Sequence, residues 1–213
     1  MKYKAFIFDL DGTLIHTEPG HRYKLVGQTL GELGVNAVSN KYIDRFWFET
    51  KRDNIISEYF GLEPEQFWKT YRKYDTIELR KQFTKLYDDV DFIQELKEKG
   101  CKTGIVTGAP IHIANFEIDM LGKENFDAIV IANFYNSKQK PLPYGLEECL
   151  NLLNNKKNEA VYVGNAEEDN LTAKNAGVFD ILLMRGEYGF ELSELKPSLA
   201  INSLYDLRKL FDK

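Results

Sequence analysis

Residues 6 to 14 read Phe6-Ile7-Phe8-Asp9-Leu10-Asp11-Gly12-Thr13-Leu14, an apolar run that ends on two carboxylates spaced two apart and then a glycine. The segment before Asp9 begins basic, at Lys2 and Lys4, and turns apolar, as an export leader does. It meets Asp9 and Asp11 before the roughly 7–15 apolar residues of a leader can accumulate, so it reads as a strand. A short unbroken apolar run fits a strand buried on both faces, the kind found inside parallel sheets. Such sheets bind ligands just beyond the carboxyl ends of their strands, where Asp9 and Asp11 fall. A calcium loop starting at Asp9 is excluded, because Leu14 and Gly20 stand where a glycine and a glutamate are needed. A plain Asp-Gly hairpin turn remains open. So does a catalytic pair, which would explain two like charges beside an apolar strand, an arrangement that is costly without a cation.

Further along, short β-branched runs alternate with helical ones. Residues 102–107, 127–132, 159–163 and 180–184 read as strands, and 111–121, 143–153 and 167–176 as helices, with Gly177 closing the last. That alternation predicts an α/β fold, a doubly wound parallel sheet with helices on both faces. Residues 16–88 break the pattern with helical spacing throughout, as at Ile43, Phe46 and Trp47 and at Ile55, Ile56, Tyr59 and Phe60. They are expected to form a small α-helical cap inserted into a core made of 1–15 and 89–213. Most of the cap's aromatics are expected to pack on one another. Arg45, Lys51 and Arg52 lie off its apolar stripe, as solvated charges or as a grip on a second anionic group of a ligand.

The chain has 213 residues, with 28 Lys plus Arg against 33 Asp plus Glu. A net charge of −5 lacks the broad basic footprint of a nucleic-acid binder. No stretch approaches the roughly 18 apolar residues of a membrane span. Cys101 and Cys149 form no C-x-x-C pair and read as reduced, buried thiols. A cytoplasmic protein, monomer or homodimer, is expected, with a small-molecule partner and neither nucleic acid nor membrane.

Four separated segments, in order, resemble the motifs of the haloacid dehalogenase-like phosphohydrolases, in the branch with a helical cap after the first strand. They are Asp9-x-Asp11-Gly12-Thr13, Ile105-Val106-Thr107-Gly108, Lys140-Pro141 followed by Pro143, and Val163-Gly164-Asn165-Ala166-Glu167-Glu168-Asp169. The resemblance implies Asp9 as a nucleophile that forms an aspartyl-phosphate, and Asp11 as the acid and base serving the leaving group and the water. It implies that Thr107 and the Gly108 N–H, at the adjacent helix entrance, bind a phosphoryl group, and that Lys140 neutralises charge there. Mg²⁺ would be held by Asp9, Asp11, Asn165 and Asp169, the last directly or through water. Lys138 is the weaker choice of lysine, since no proline follows it.

This chain departs from the motif pattern in three places. Asn165 replaces an acidic residue, Ala166 replaces a serine, and His16 stands where an aspartate is frequent, as a hinge or a pocket histidine. The implied activity is a Mg²⁺-dependent phosphatase acting on a small phosphate monoester, phosphoglycolate-like or a sugar phosphate. A phosphosugar mutase of the same family and a non-catalytic binder of phosphate ligands are the alternatives.

Overall fold

The computed structural model describes residues 2–133, 138–189 and 192–211. Two compact units are formed, one by Met1–His16 with Leu86–Lys213, the other by Thr17–Lys85. The first holds a six-stranded, all-parallel sheet of β1 (Ala5–Phe8), β4 (Lys102–Thr107), β5 (Ala128–Ile131), β6 (Ala160–Gly164), β7 (Phe179–Leu183) and β8 (Leu199–Ile201). Their order is β5-β4-β1-β6-β7-β8. This is the expected α/β class.

Every residue of β1 is buried, and its side chains alternate between two cores. Phe6 and Phe8 join Phe92 and Ile93 of α6 (Phe92–Glu98) and Ala114 and Ile118 of α7 (Ile111–Leu121). Ala5 and Ile7 join Leu146 and Cys149 of α8 (Tyr144–Leu153) and Ala173 of α9 (Glu167–Ala176). Helices therefore cover both faces, which is why the strand sequence is apolar without alternation.

β1 is central, flanked by β4 on one side and β6 on the other. Phe8 lies level with Ile105 and with Val163, so Asp9, Thr107 and Asn165 all emerge at one edge of the sheet. This is the point where the strand order switches direction, the usual position for a ligand.

Two short strands, β2 (Ile15–Thr17) and β3 (Thr84–Leu86), carry the chain between the units and pair with each other. β1 and β2 belong to different sheets, so residues 9–14 are not a hairpin turn.

The second unit is helical: α1 (Pro19–Glu32), α2 (Asn40–Phe48), α3 (Arg52–Ile55) running into a π-turn at Ile56–Phe60, α4 (Pro64–Tyr74) and α5 (Ile77–Lys81). Val26, Leu30, Ile43, Phe46, Ile56 and Phe67 form its core, and the Phe46 and Phe67 rings sit edge-on with centroids 5.2 Å apart. Arg45 donates to both oxygens of Glu49 at 3.0 Å, and Arg52 caps the Phe46 carbonyl at 3.1 Å. Both guanidiniums thus have partners inside the helical unit.

Candidate active site

Residues 10–15 make one tight turn. The N–H groups of Thr13, Leu14 and Ile15 all donate to the Leu10 carbonyl at 2.9–3.2 Å, and the Gly12 N–H donates to Ile15 O at 2.7 Å. Gly12 has φ +83°, and a Cβ there would lie 2.2 Å from Asn165 Nδ2. Glycine is required on both counts: the left-handed backbone and the Asn165 side chain lying against it.

Asp9 is 5% exposed and held on three sides. Its N–H donates to Val163 O at 2.8 Å, extending the β1–β6 ladder. Lys140 Nζ donates to Asp9 Oδ1 at 2.7 Å, and the Thr13 hydroxyl donates to Oδ2 at 3.4 Å. The same hydroxyl lies 3.3 Å from Asn165 Oδ1, so Asp9 and Asn165 face a shared donor. Lys140 also donates to Asp169 Oδ1 at 2.5 Å and to Tyr162 Oη at 3.4 Å. Tyr162 Oη in turn lies 3.1 Å from both Asp169 Oδ1 and Val106 O.

Two buried carboxylates thus share one ammonium. Burial, joined by the Asp169 charge and opposed by Lys140 and the Leu10 N–H, pushes Asp9 up to about 7. Burial alone would lower Lys140, but the Asp169 and Asp9 charges outweigh it and hold the ammonium well above its usual value.

Asp169, third in α9, accepts the Ala166 N–H on its Oδ2 at 3.1 Å. That is half of a capping box; Ala166 has no hydroxyl to return the bond. A Cβ on Gly164 would lie 2.3 Å from the Asp169 side chain, so glycine there lets the carboxylate sit against β6.

Thr107 ends β4, 1% exposed, and its hydroxyl oxygen accepts the Ala109 N–H at 3.2 Å while keeping its own proton to donate. Gly108 is exposed, and a Cβ on it would come within 3.8 Å of Lys140 Cε. α7 begins only at Ile111 with Pro110 as its cap, so the Gly108 N–H lies in the loop rather than at the helix entrance. Asp11 is half-buried within the turn. Lys138 donates to Glu148 at 2.6 Å, leaving Lys140 as the lysine on Asp9. His16 Nδ1 meets Glu187 Oε1 at 3.0 Å and Tyr87 Oη at 3.2 Å, a pairing invisible in sequence.

Of the residues expected from sequence, Lys140, Asp169 and Asn165 are joined to Asp9 directly or through one shared partner, Gly108 lies against Lys140, Asp11 is in the turn after Asp9, and Thr107 ends the neighbouring strand. Tyr162 was missed. A tyrosine between Val161 and Val163 reads as core, and the one available signal was that a buried phenol needs a partner.

Among the described residues no three His, Cys, Asp or Glu side chains gather as a metal cage. The available donors are hard oxygens, from Asp9, Asn165 and Asp11, and three carboxylates, Asp9, Asp11 and Asp169, stand against the single ammonium of Lys140. That chemistry fits Mg²⁺ bound with retained waters. Asp169 is committed on both oxygens, to Lys140 and to Ala166 N–H.

The model of the haloacid dehalogenase-like hydrolases matches residues 6–182. A pyrophosphatase PpaX from Anoxybacillus flavithermus is 31% identical over 183 residues, covering 83% of this chain and 81% of that one. A phosphoglycolate phosphatase from Xanthomonas campestris is 26% identical over 202 residues, covering 91% and 87%. The crystal structure of a predicted phosphatase from Clostridium acetobutylicum superposes with a TM-score of 0.84 over all of both chains at 21% identity, a likeness of fold. The chain belongs to the haloacid dehalogenase-like hydrolase family, among its phosphatases.

Proposed function

We propose that the protein is a Mg²⁺-dependent phosphatase that hydrolyses a small phosphate monoester through an aspartyl-phosphate on Asp9. The observation that carries this is the setting of Asp9: a buried carboxylate at the end of the central strand, one oxygen on Lys140 and the other on Thr13.

An Asp9 oxygen attacks phosphorus in line, and the bond from phosphorus to the leaving oxygen breaks. Asp11, half-buried in the same turn, gives its proton to that oxygen. It then takes one from the water that attacks phosphorus, and release of phosphate restores the Asp9 carboxylate. Lys140 fixes the orientation of the Asp9 carboxylate and offsets its charge. Thr107 donates its hydroxyl proton to a phosphoryl oxygen, beside the Gly108 N–H. When bound, Mg²⁺ supplies the positive charge that lets one anion attack another. Asp9, Asn165 and Asp11 would hold it, with Asp169 acting through water because its own oxygens are taken.

The names of the relatives, a phosphoglycolate phosphatase and a pyrophosphatase, support a small, highly charged phosphorylated substrate. We extend the proposal to Thr17–Lys85 as a cap that selects the substrate. Arg45 and Arg52, spent on Glu49 and on backbone carbonyls, do not support the second-anion grip.

The test is a panel of phosphate monoesters, phosphoglycolate and sugar phosphates included, with pyrophosphate beside them, each with and without Mg²⁺. Turnover of at least one monoester that needs Mg²⁺ and disappears in Asp9→Asn is expected. Turnover of none, or near-normal rates in Asp9→Asn, would overturn the proposal.

A further inference from the structure

Just past β7, and beyond the 6–182 segment matched by the family model, a buried guanidinium touches the catalytic turn. The Arg185 side chain is 8% exposed. Its Nη1 and Nη2 grip the two oxygens of Asp89 at 2.8 and 2.9 Å, and Nη2 also donates to the Thr13 carbonyl at 2.6 Å. The guanidinium carbon stacks 3.8 Å from the centre of the Tyr87 ring.

The partners of Arg185 are themselves fixed. Asp89 accepts the Ser203 hydroxyl and the Leu204 N–H, both at 2.8 Å. Burial acts to raise its carboxyl, and these bonds with those from Arg185 hold it below the usual range. Tyr87 donates to Glu187 Oε1 at 2.8 Å, the same oxygen that lies 3.0 Å from His16 Nδ1. Arg185 is thus a rigid post that touches the catalytic turn at the Thr13 carbonyl.

Asp9 and Asp11 depend on this post differently. Asp9 meets the Thr13 hydroxyl at 3.4 Å but keeps two anchors that do not pass through Thr13, Val163 O and Lys140. Asp11 lies in the same Leu10–Ile15 turn, bridged to Ile15 and two residues before the Thr13 carbonyl that Arg185 holds. Tyr87 lies on the Asp11 side, since the Asp11 charge helps raise the Tyr87 phenol, after burial and Glu187.

We propose that Arg185, through the Thr13 carbonyl, is a positioning residue for Asp11 and thereby governs proton delivery to the leaving group. This rests on the reading of Asp11 as the acid. A bidentate fork plus a third acceptor is something a lysine cannot reproduce, so Arg185→Lys should fail in function while keeping a positive charge opposite Asp89.

The experiment compares wild type, Arg185→Lys, Arg185→Met and Asp11→Asn on an alkyl phosphate and on p-nitrophenyl phosphate, whose stabilised phenolate departs without a proton. Folding is checked by circular dichroism. For both Arg185 variants kcat on the alkyl phosphate should fall about tenfold or more, with p-nitrophenyl phosphate within about threefold and KM little changed. A purely structural role would lower both substrates together, and that result, or no loss on either, overturns the inference. If Arg185→Met does not fold, Arg185→Lys decides. Asp11→Asn separates the two levels. Selective loss there without selective loss at Arg185 sinks only the inference. Equal loss on both substrates in Asp11→Asn removes the acid assignment, and the inference with it.

Discussion

The Asp9 carboxylate should destabilise the metal-free protein that depends on it for chemistry. Its pKa stands at about 7 in the fold against an ordinary 3.8, chiefly because burial strips its water and Asp169 repels it. Below both values each state holds the proton and nothing is lost. Between them the unfolded chain has released its proton while the native state keeps it, so stability falls as pH rises. At 1.36 kcal/mol per pH unit, the loss reaches about 2 kcal/mol at pH 5 and about 4 kcal/mol above pH 7. Asp9→Asn keeps the shape and an oxygen acceptor for Lys140 but carries no charge. It should therefore be more stable than wild type by about those amounts, less at pH 5 than at pH 8. The assay is urea unfolding in EDTA at both values, followed by far-ultraviolet circular dichroism. Trp47 and Trp68 both lie in the helical unit, so tryptophan fluorescence would follow the wrong part of the molecule. Added Mg²⁺ should narrow the gap by stabilising wild type more than the variant. An Asp9→Asn protein no more stable than wild type at pH 8, or a gain that does not shrink at pH 5, would refute the reasoning.

Asn165→Asp adds a carboxylate next to the Thr13 hydroxyl and should lower the Mg²⁺ concentration giving half-maximal rate; an unchanged or higher requirement would remove residue 165 from the metal site. Ala166→Ser completes the cap of α9 with Asp169 and should stabilise the protein by about 1 kcal/mol, read from the urea midpoint. Gly12→Ala must strain a φ of +83° and displace Asn165, so a loss of about 2 kcal/mol and a rate at least tenfold lower are expected from denaturation and kinetics. Burial pushes the Cys149 thiol up to about 12, so at pH 8 it should react with a disulfide reagent only after urea is added.

The strands and helices that carry the site were legible because each is specified locally. The run at 102–107 and the helices at 111–121 and 167–176 have the limits read from their own residues, and Gly177 ends α9 in the left-handed region. β8, only Leu199–Ile201, was not foreseen, because three residues carry too little periodicity and its pairing with β7 makes it a strand. α6 was missed for a similar reason: a short helix at Phe92–Glu98 owes its place to packing under β4.

By itself the sequence determined the fold class, the motif order and which residue types stand at the strand ends, since burial and chain geometry act on neighbouring residues there. Strand order was decided only in three dimensions, by hydrogen bonds that place β1 between β4 and β6, elements some hundred residues or more away. So were the second uses of the site's side chains: Lys140 shared between Asp9 and Asp169, Tyr162 beneath them, and Arg185 holding Thr13 from 172 residues along the chain. Those bonds join polar groups that have no reason to meet until apolar burial has closed the sheet. Once inside, each must find a partner or be left desolvated without one.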